Sequence, residues 1–115
     1  MNTLEVNSSI FKKEVLESTL LVLVDLWAPW CMPCRIISPI VEELGSDNQG
    51  KLKTCRLNTD ENQNIAAQCG IQGIPTLLFF KDGQEVDRLV GVTPKPFIQK
   101  KDRCPAIITY LRSRE

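Results

Sequence analysis

Leu20-Leu21-Val22-Leu23-Val24-Asp25-Leu26 and, after three intervening residues, Trp30-Cys31-Met32-Pro33-Cys34 form the stretch that decides the fold. The first run is apolar at odd and even positions alike, broken only by Asp25. A strand covered by helices on both faces reads this way, so the run predicts a central strand. The second run places two cysteines three positions apart where that strand gives way to a helix. On a helix, positions i and i+3 share a face with Cβ atoms about 5–6 Å apart. A disulfide needs Cβ atoms about 3.5–4.5 Å apart. A small local adjustment therefore opens or closes the bond.

The place of the pair on the helix bears on its reactivity. With Cys31 as N-cap, Met32 is N1, Pro33 is N2 and Cys34 is N3. An N-cap side chain accepts from the backbone N–H of N2 or N3. Pro33 has no N–H, so the donor is Cys34 N–H and the acceptor is the Cys31 sulfur. That bond and the positive end of the helix dipole favour thiolate over thiol. Cys31 is thus the expected nucleophile. Cys34, one turn in and expected to be buried, is the resolving thiol, and Met32 should lie exposed beside Cys31.

A structural disulfide and half of a zinc site are the competing readings of the same motif. Structural zinc takes four ligands. The chain has no histidine and no second C-x-x-C, and Cys55, Cys69 and Cys104 lack knuckle spacing. No metal site is expected. A redox pair is the reading that motif and context favour.

At 115 residues the chain reads as one domain, 1–115, long enough to bury a core without staples. Its 14 basic and 14 acidic residues cancel. No surface-wide field would draw nucleic acid or an anionic membrane, and a monomer is expected. Residues 1–17 show no apolar targeting core, and no apolar run is long enough to span a bilayer. A fifth, odd cysteine argues against a secreted disulfide framework and for a reducing compartment, hence the cytoplasm. Cys55 and Cys69 read as small apolar fillers. The alternative is a regulatory disulfide or glutathionylation site among Cys55, Cys69 and Cys104.

Along the chain, residues 4–6 predict a short strand, and Asn7, Ser8 and Ser9 offer caps for a helix with Phe11, Val15 and Leu16 inward. The helix opened by Cys31 should run past Pro39 to a C-cap at Gly45. A strand follows over 52–57. Asp60 and Gln63 resemble a capping box for a short helix carrying Ile65, Ala66 and Cys69, closed by Gly70. A strand over 76–80 joins one over 85–90 through Asp82-Gly83, a two-residue hairpin signal. Pro94 opens a last helix that Pro105 divides into 96–101 and 106–111. The pattern is α/β: a central mixed β-sheet flanked by helices on both faces.

The chain resembles the thioredoxin family over essentially its whole length. The residues that carry the likeness are Asp25-Leu26-Trp27-Ala28-Pro29-Trp30-Cys31-Met32-Pro33-Cys34-Arg35, then Pro39, Asn58-Thr59-Asp60, Gly73-Ile74-Pro75-Thr76 and Lys81-Asp82-Gly83. The resemblance implies the thioredoxin fold and general protein-disulfide reduction. It implies an electron carrier regenerated by a thioredoxin reductase, with disulfide-containing proteins as substrates. No metal or organic cofactor is expected, because the Cys31–Cys34 disulfide is itself the redox centre. Three positions depart from the family pattern. Met32 replaces the usual Gly, Arg56 stands where Lys is common, and Pro105 interrupts the last helix. The first bears on potential and partner range, the third on the packing of the C-terminus.

The resemblance also distributes roles. Asp25, an isolated carboxylate in an apolar strand, faces desolvation that raises its pKa. The bland account is a buried Asp satisfied by Arg56 or a hydroxyl. The family account makes it, directly or through water, the proton acceptor for Cys34, with Arg56 tuning it and partly lowering that pKa. About 5–6% of X–Pro bonds are cis, so the residues alone make Ile74-Pro75 trans. The resemblance implies cis, facing the disulfide, with the Ile74 backbone free to pair with an extended substrate. Trp30, Gly73, Ile74, Pro75, Gly91 and Val92 would then form an apolar docking patch around Cys31, with Met32 and Pro33 shaping it. Trp27 should pack beneath the active-site loop. A non-catalytic subunit docking partners through Trp30, Ile74 and Val92 is the rival from another class. A disulfide oxidase or isomerase is a second rival, opposed by the absence of His between the cysteines.

Overall fold

The computed structural model describes residues 3–100. Five strands form one sheet in the order β1-β3-β2-β4-β5. They are β1 (Thr3–Val6), β2 (Leu21–Trp27), β3 (Leu52–Asn58), β4 (Thr76–Lys81) and β5 (Gln84–Val90). β3 runs parallel to β1 and β2, whereas β4 lies antiparallel to β2 and to β5. The sheet is therefore mixed, with β2 at its centre, as the apolar run predicts.

Strand periodicity sorts the core into two layers. Val22, Val24 and Leu26 of β2 and Leu78 and Phe80 of β4 face one way, onto Val6, Phe11, Val15, Cys55, Leu57 and Ile65. Leu23, Leu77 and Phe79 face the other way, onto Ile37, Val41 and Leu44 of helix α1 (Met32–Asp47) and onto Ile98. Successive side chains on a strand alternate between faces. Asp25 therefore falls on the α1 side with Leu23. Its neighbours across the sheet are Arg56 on β3 and Leu77 on β4, and Glu5 on β1 follows Arg56.

The helix read at Phe11, Val15 and Leu16 is a single π-helical segment, Lys12–Leu16. Asn7 caps the turn that leads into it, accepting at Oδ1 from Ser9 N–H (2.8 Å) and at its carbonyl from Phe11 N–H (2.9 Å). The hairpin turn is as predicted, with Asp82 at φ 52° and Gly83 at φ 82°, the left-handed pair that a tight turn between twisted strands requires. A five-residue α3 (Lys95–Gln99) begins after Pro94. Cys104, Pro105 and the predicted piece 106–111 lie outside the described residues.

Two local predictions give way to longer-range contacts. Gly45 does not end α1, which continues to Asp47 with Asn48 as its C-cap. A Cβ at position 45 would sit 2.4 Å from Thr54 Oγ1, so glycine is there for the approach of α1 to β3. The expected Asp60 cap is also absent. Helix α2 (Gln63–Gln68) begins after Asn62, whose side chain instead binds Ser8 N–H (2.9 Å) and the Asn58 carbonyl (2.9 Å).

The first of these contacts makes a prediction. Thr54 cannot simply turn aside, because its hydroxyl is hydrogen-bonded to that of Thr3 at 2.9 Å. Overpacking costs typically 1–3 kcal/mol, against about 1 kcal/mol gained by Ala over Gly in a helix. Gly45→Ala should lower stability in urea by about 1 kcal/mol, and adding Thr54→Ala should recover part of the loss. Equal or greater stability of the single variant contradicts this packing.

Candidate active site

Cys31 is the N-cap of α1, with φ −85° and ψ 103°, and its sulfur accepts from Cys34 N–H at 3.2 Å. This is the arrangement that Pro33 at N2 dictates. The cysteines form a disulfide with Cα atoms 5.4 Å apart. Both are buried in this state, at 3% and 2% exposure, inside a small cluster with Ala28, Trp27 and Ile74. The exposed groups are their neighbours, Trp30 at 67% and Met32 at 65%. An incoming sulfur thus reaches the pair over a rim of apolar side chains.

Of the other residues read as a patch, Ile74 meets the cysteine cluster and Gly91 bonds to Pro75. The Ile74–Pro75 bond is cis, and Ile74 packs against the cysteine cluster. The Pro75 carbonyl accepts from Gly91 N–H at 2.8 Å, and the Gly73 carbonyl from the Thr76 hydroxyl at 2.6 Å. The first bond joins the loop before β4 to the end of β5, and the second ties that loop to the start of β4. Val92 is exposed next to Gly91. Asp60, read from sequence as a helix cap, serves this rim instead: its carboxylate accepts from the Trp30 indole N–H at 3.0 and 3.2 Å.

Beneath the pair lies a row of charges across three strands. Arg56 Nη1 stands 3.7 Å from Glu5 Oε1, and Arg56 Nε 3.8 Å from Asp25 Oδ2. The second is an ion pair without a hydrogen bond, for Arg56 Nε has no hydrogen-bond partner among the described residues. The guanidinium lies 4.3 Å over the Trp27 ring, whose indole N–H donates to Glu5 at 3.1 Å. Trp27 is therefore fixed under the loop, partly by a cation–π contact.

Asp25 itself is fully buried. Desolvation is the largest influence on it and pushes its carboxyl from the ordinary 3.8 up to about 7, while Arg56 and then Ser38 pull the other way. Ser38 Oγ lies 3.4 Å from Asp25 Oδ2 and 3.1 Å from the Cys34 carbonyl. An open cleft of about 650 Å³ borders Cys31, Cys34, Ser38, Arg56, Trp27 and Glu5. A buried acid that ionises near neutrality thus sits one hydroxyl away from the residue that carries the second sulfur.

By its fold and its site the chain is a dithiol–disulfide oxidoreductase. The thioredoxin family model matches residues 2–102. Curated relatives agree. A thioredoxin of Synechocystis is 55% identical over 93 residues, 81% of this chain and 87% of that one. Thioredoxin 1 of Nostoc is 54% identical over 91 residues, 79% and 85% of the two chains. A chloroplastic M-type thioredoxin of Chlamydomonas reinhardtii is 50% identical over 93 residues, 81% of this chain and 66% of that one. The chain belongs to the thioredoxin family.

Among the described residues no helix is long and apolar enough to cross a membrane, and no cluster of His, Cys, Asp or Glu could hold a metal ion. Cys55 is buried and Cys69 half-buried, and desolvation raises both thiols.

Proposed function

We propose that this chain reduces disulfides of other proteins with Cys31 as the attacking sulfur and is returned to its dithiol by a thioredoxin reductase. Cys31 thiolate attacks one sulfur of the substrate disulfide, forming a mixed disulfide and releasing the first substrate thiolate. Asp25 takes the proton of Cys34, directly or through water. Cys34 thiolate then attacks Cys31 Sγ, which forms the Cys31–Cys34 bond and releases the second substrate thiolate. Two electrons leave the dithiol, and no metal or organic group is needed to carry them.

The observation that carries the role assignment is the 3.2 Å hydrogen bond from Cys34 N–H to Cys31 Sγ at the start of α1. Only the N-cap sulfur receives that donor and lies at the positive end of the helix, so it is the one stabilised as thiolate. The rim of Trp30, Ile74, Pro75, Gly91 and Val92 is the docking surface in this reading. Its exposed apolar groups suit an extended protein segment laid across the disulfide. The chain acts as a monomer in the cytoplasm, where the buried thiol of Cys55 stays reduced. Incubation of the oxidised protein with an NADPH-linked or a ferredoxin-linked thioredoxin reductase and its electron donor, followed by thiol titration, should show a gain of two thiols per chain with one of them. No gain with either contradicts the proposed partner.

Met32 provides a separate test of what the rim does. Its helix propensity exceeds that of Gly by roughly 0.8–1 kcal/mol. That preference acts on α1 in both redox states and largely cancels. For a two-electron couple 30 mV corresponds to about 1.4 kcal/mol, so Met32→Gly should move the midpoint potential by less than about 30 mV. Because the side chain is exposed beside Cys31, kcat/KM should change by different factors for the reductase and for individual substrates. A large potential shift with one uniform kinetic factor would show that Met32 acts on the disulfide itself.

A further inference from the structure

Ser38 occupies an unusual place between two functional groups. It lies one turn after Cys34 on α1, on the face turned toward the sheet, and it borders the cleft that holds both cysteines. Its hydroxyl has one proton and two acceptors within reach, the Cys34 carbonyl at 3.1 Å and Asp25 Oδ2 at 3.4 Å. No other side chain among the described residues makes a hydrogen bond to the Asp25 carboxylate; Arg56 approaches only as a charge. The other acceptor is a helix carbonyl, to which serine hydroxyls commonly back-bond.

We propose that Ser38 is a positioning residue for Asp25: its hydroxyl turns from the Cys34 carbonyl to the Asp25 carboxylate when that group ionises, and so sets the pH range in which Asp25 accepts the proton of Cys34. The inference rests on the reading of Asp25 as proton acceptor. A protonated carboxyl needs no donor, so the hydroxyl is then free for the carbonyl. A carboxylate in a dry site gains most from a donor aimed at it. Desolvation opposes the charge, and the groups facing it are few. Arg56 on β3 favours the carboxylate, Glu5 on β1 opposes it, Ser38 on α1 favours it, and Leu77 on β4 is apolar. Cys34 on α1 exchanges the proton. Because Ser38 makes the only hydrogen bond to the carboxylate among the described residues, the state of that hydroxyl decides how readily the charge forms.

The test follows the Asp25 carboxyl carbon by NMR through a pH titration of the reduced protein, alongside the pH profile of mixed-disulfide resolution. Ser38→Ala should raise the Asp25 midpoint by about half to one pH unit, with the kinetic profile moving by the same amount. Ser38→Thr, which keeps the hydroxyl, should restore both; Ser38→Val, its isostere, should not. In an Asp25→Asn background Ser38→Ala should leave the resolution rate unchanged. An unmoved or lowered Asp25 midpoint in Ser38→Ala overturns the proposal, as does a change in the resolution rate by Ser38→Ala that is as large in the Asp25→Asn background as in the intact chain. If Asp25→Asn alone leaves resolution unaffected, it is the proton-acceptor reading that fails, whereas the NMR midpoints still judge Ser38.

Discussion

Cys34→Ser is expected to trap substrate on Cys31 as a stable mixed disulfide, whereas Cys31→Ser should lose disulfide reduction altogether. Removing Cys34 leaves the first attack intact if, as proposed, the attacking sulfur is that of Cys31, the N-cap of α1. What is lost is the intramolecular second attack, by a sulfur held one turn away with Cα atoms 5.4 Å apart. Effective molarities of well-oriented groups reach about 10⁵–10⁸ M, so no thiol in solution replaces it. Removing Cys31 leaves a buried thiol without the helix-terminal donor. Mass spectrometry of the trapped species locates the bond. Partners found on Cys34 of an otherwise intact chain would reverse the assignment.

Asp25→Asn should stabilise the fold, and by an amount that grows with pH. In the unfolded chain the carboxyl ionises near 3.8, in the folded protein near 7. Below the lower value both states are protonated and the acid costs nothing by ionisation. Between the two values the unfolded state sheds its proton first, so stability falls as pH rises. Above about 7 the difference is complete, on the order of 4 kcal/mol. Asn removes that dependence but leaves Arg56 without its ion-pair partner on β2. The expected net gain is about 2–4 kcal/mol at pH 8 and near zero at pH 4, measured by urea unfolding. A gain of the same size at both values would mean that ionisation of Asp25 is not what limits stability. The same variant should slow resolution of the mixed disulfide, which sets the stability gained against the activity lost.

The parts of this structure that could be read in advance are those fixed by local chemistry. Pro33 leaves a single donor near Cys31, so the Cys34 N–H to sulfur bond is dictated by three consecutive residues. The run before it is apolar on both faces except at Asp25, and β2 accordingly lies at the centre of the sheet. Gly45 shows the opposite case. A glycine after a helical pattern resembles a C-cap, yet its cause is Thr54 on the strand that follows, a contact made only once α1 packs back on β3. Asp60 likewise carries a local capping signal that loses to the Trp30 indole, thirty residues away. The cis bond at Pro75 was accessible only through the family likeness, because nothing in Ile-Pro itself favours it. Ser38 offers no signal as a single residue. Its spacing of four from Cys34 and the odd-numbered facing of Asp25 toward α1 could have raised it, once the strand phase was fixed.

Turnover of insulin disulfides with dithiothreitol as electron donor measures the central claim most directly. The intact chain at catalytic concentration should accelerate insulin precipitation well above the dithiothreitol background, and a variant with serine at both 31 and 34 should fall to that background. An intact chain no faster than the double-serine variant would show that the disulfide at the head of α1 does not cycle, and that this member of the family binds its partners without reducing them.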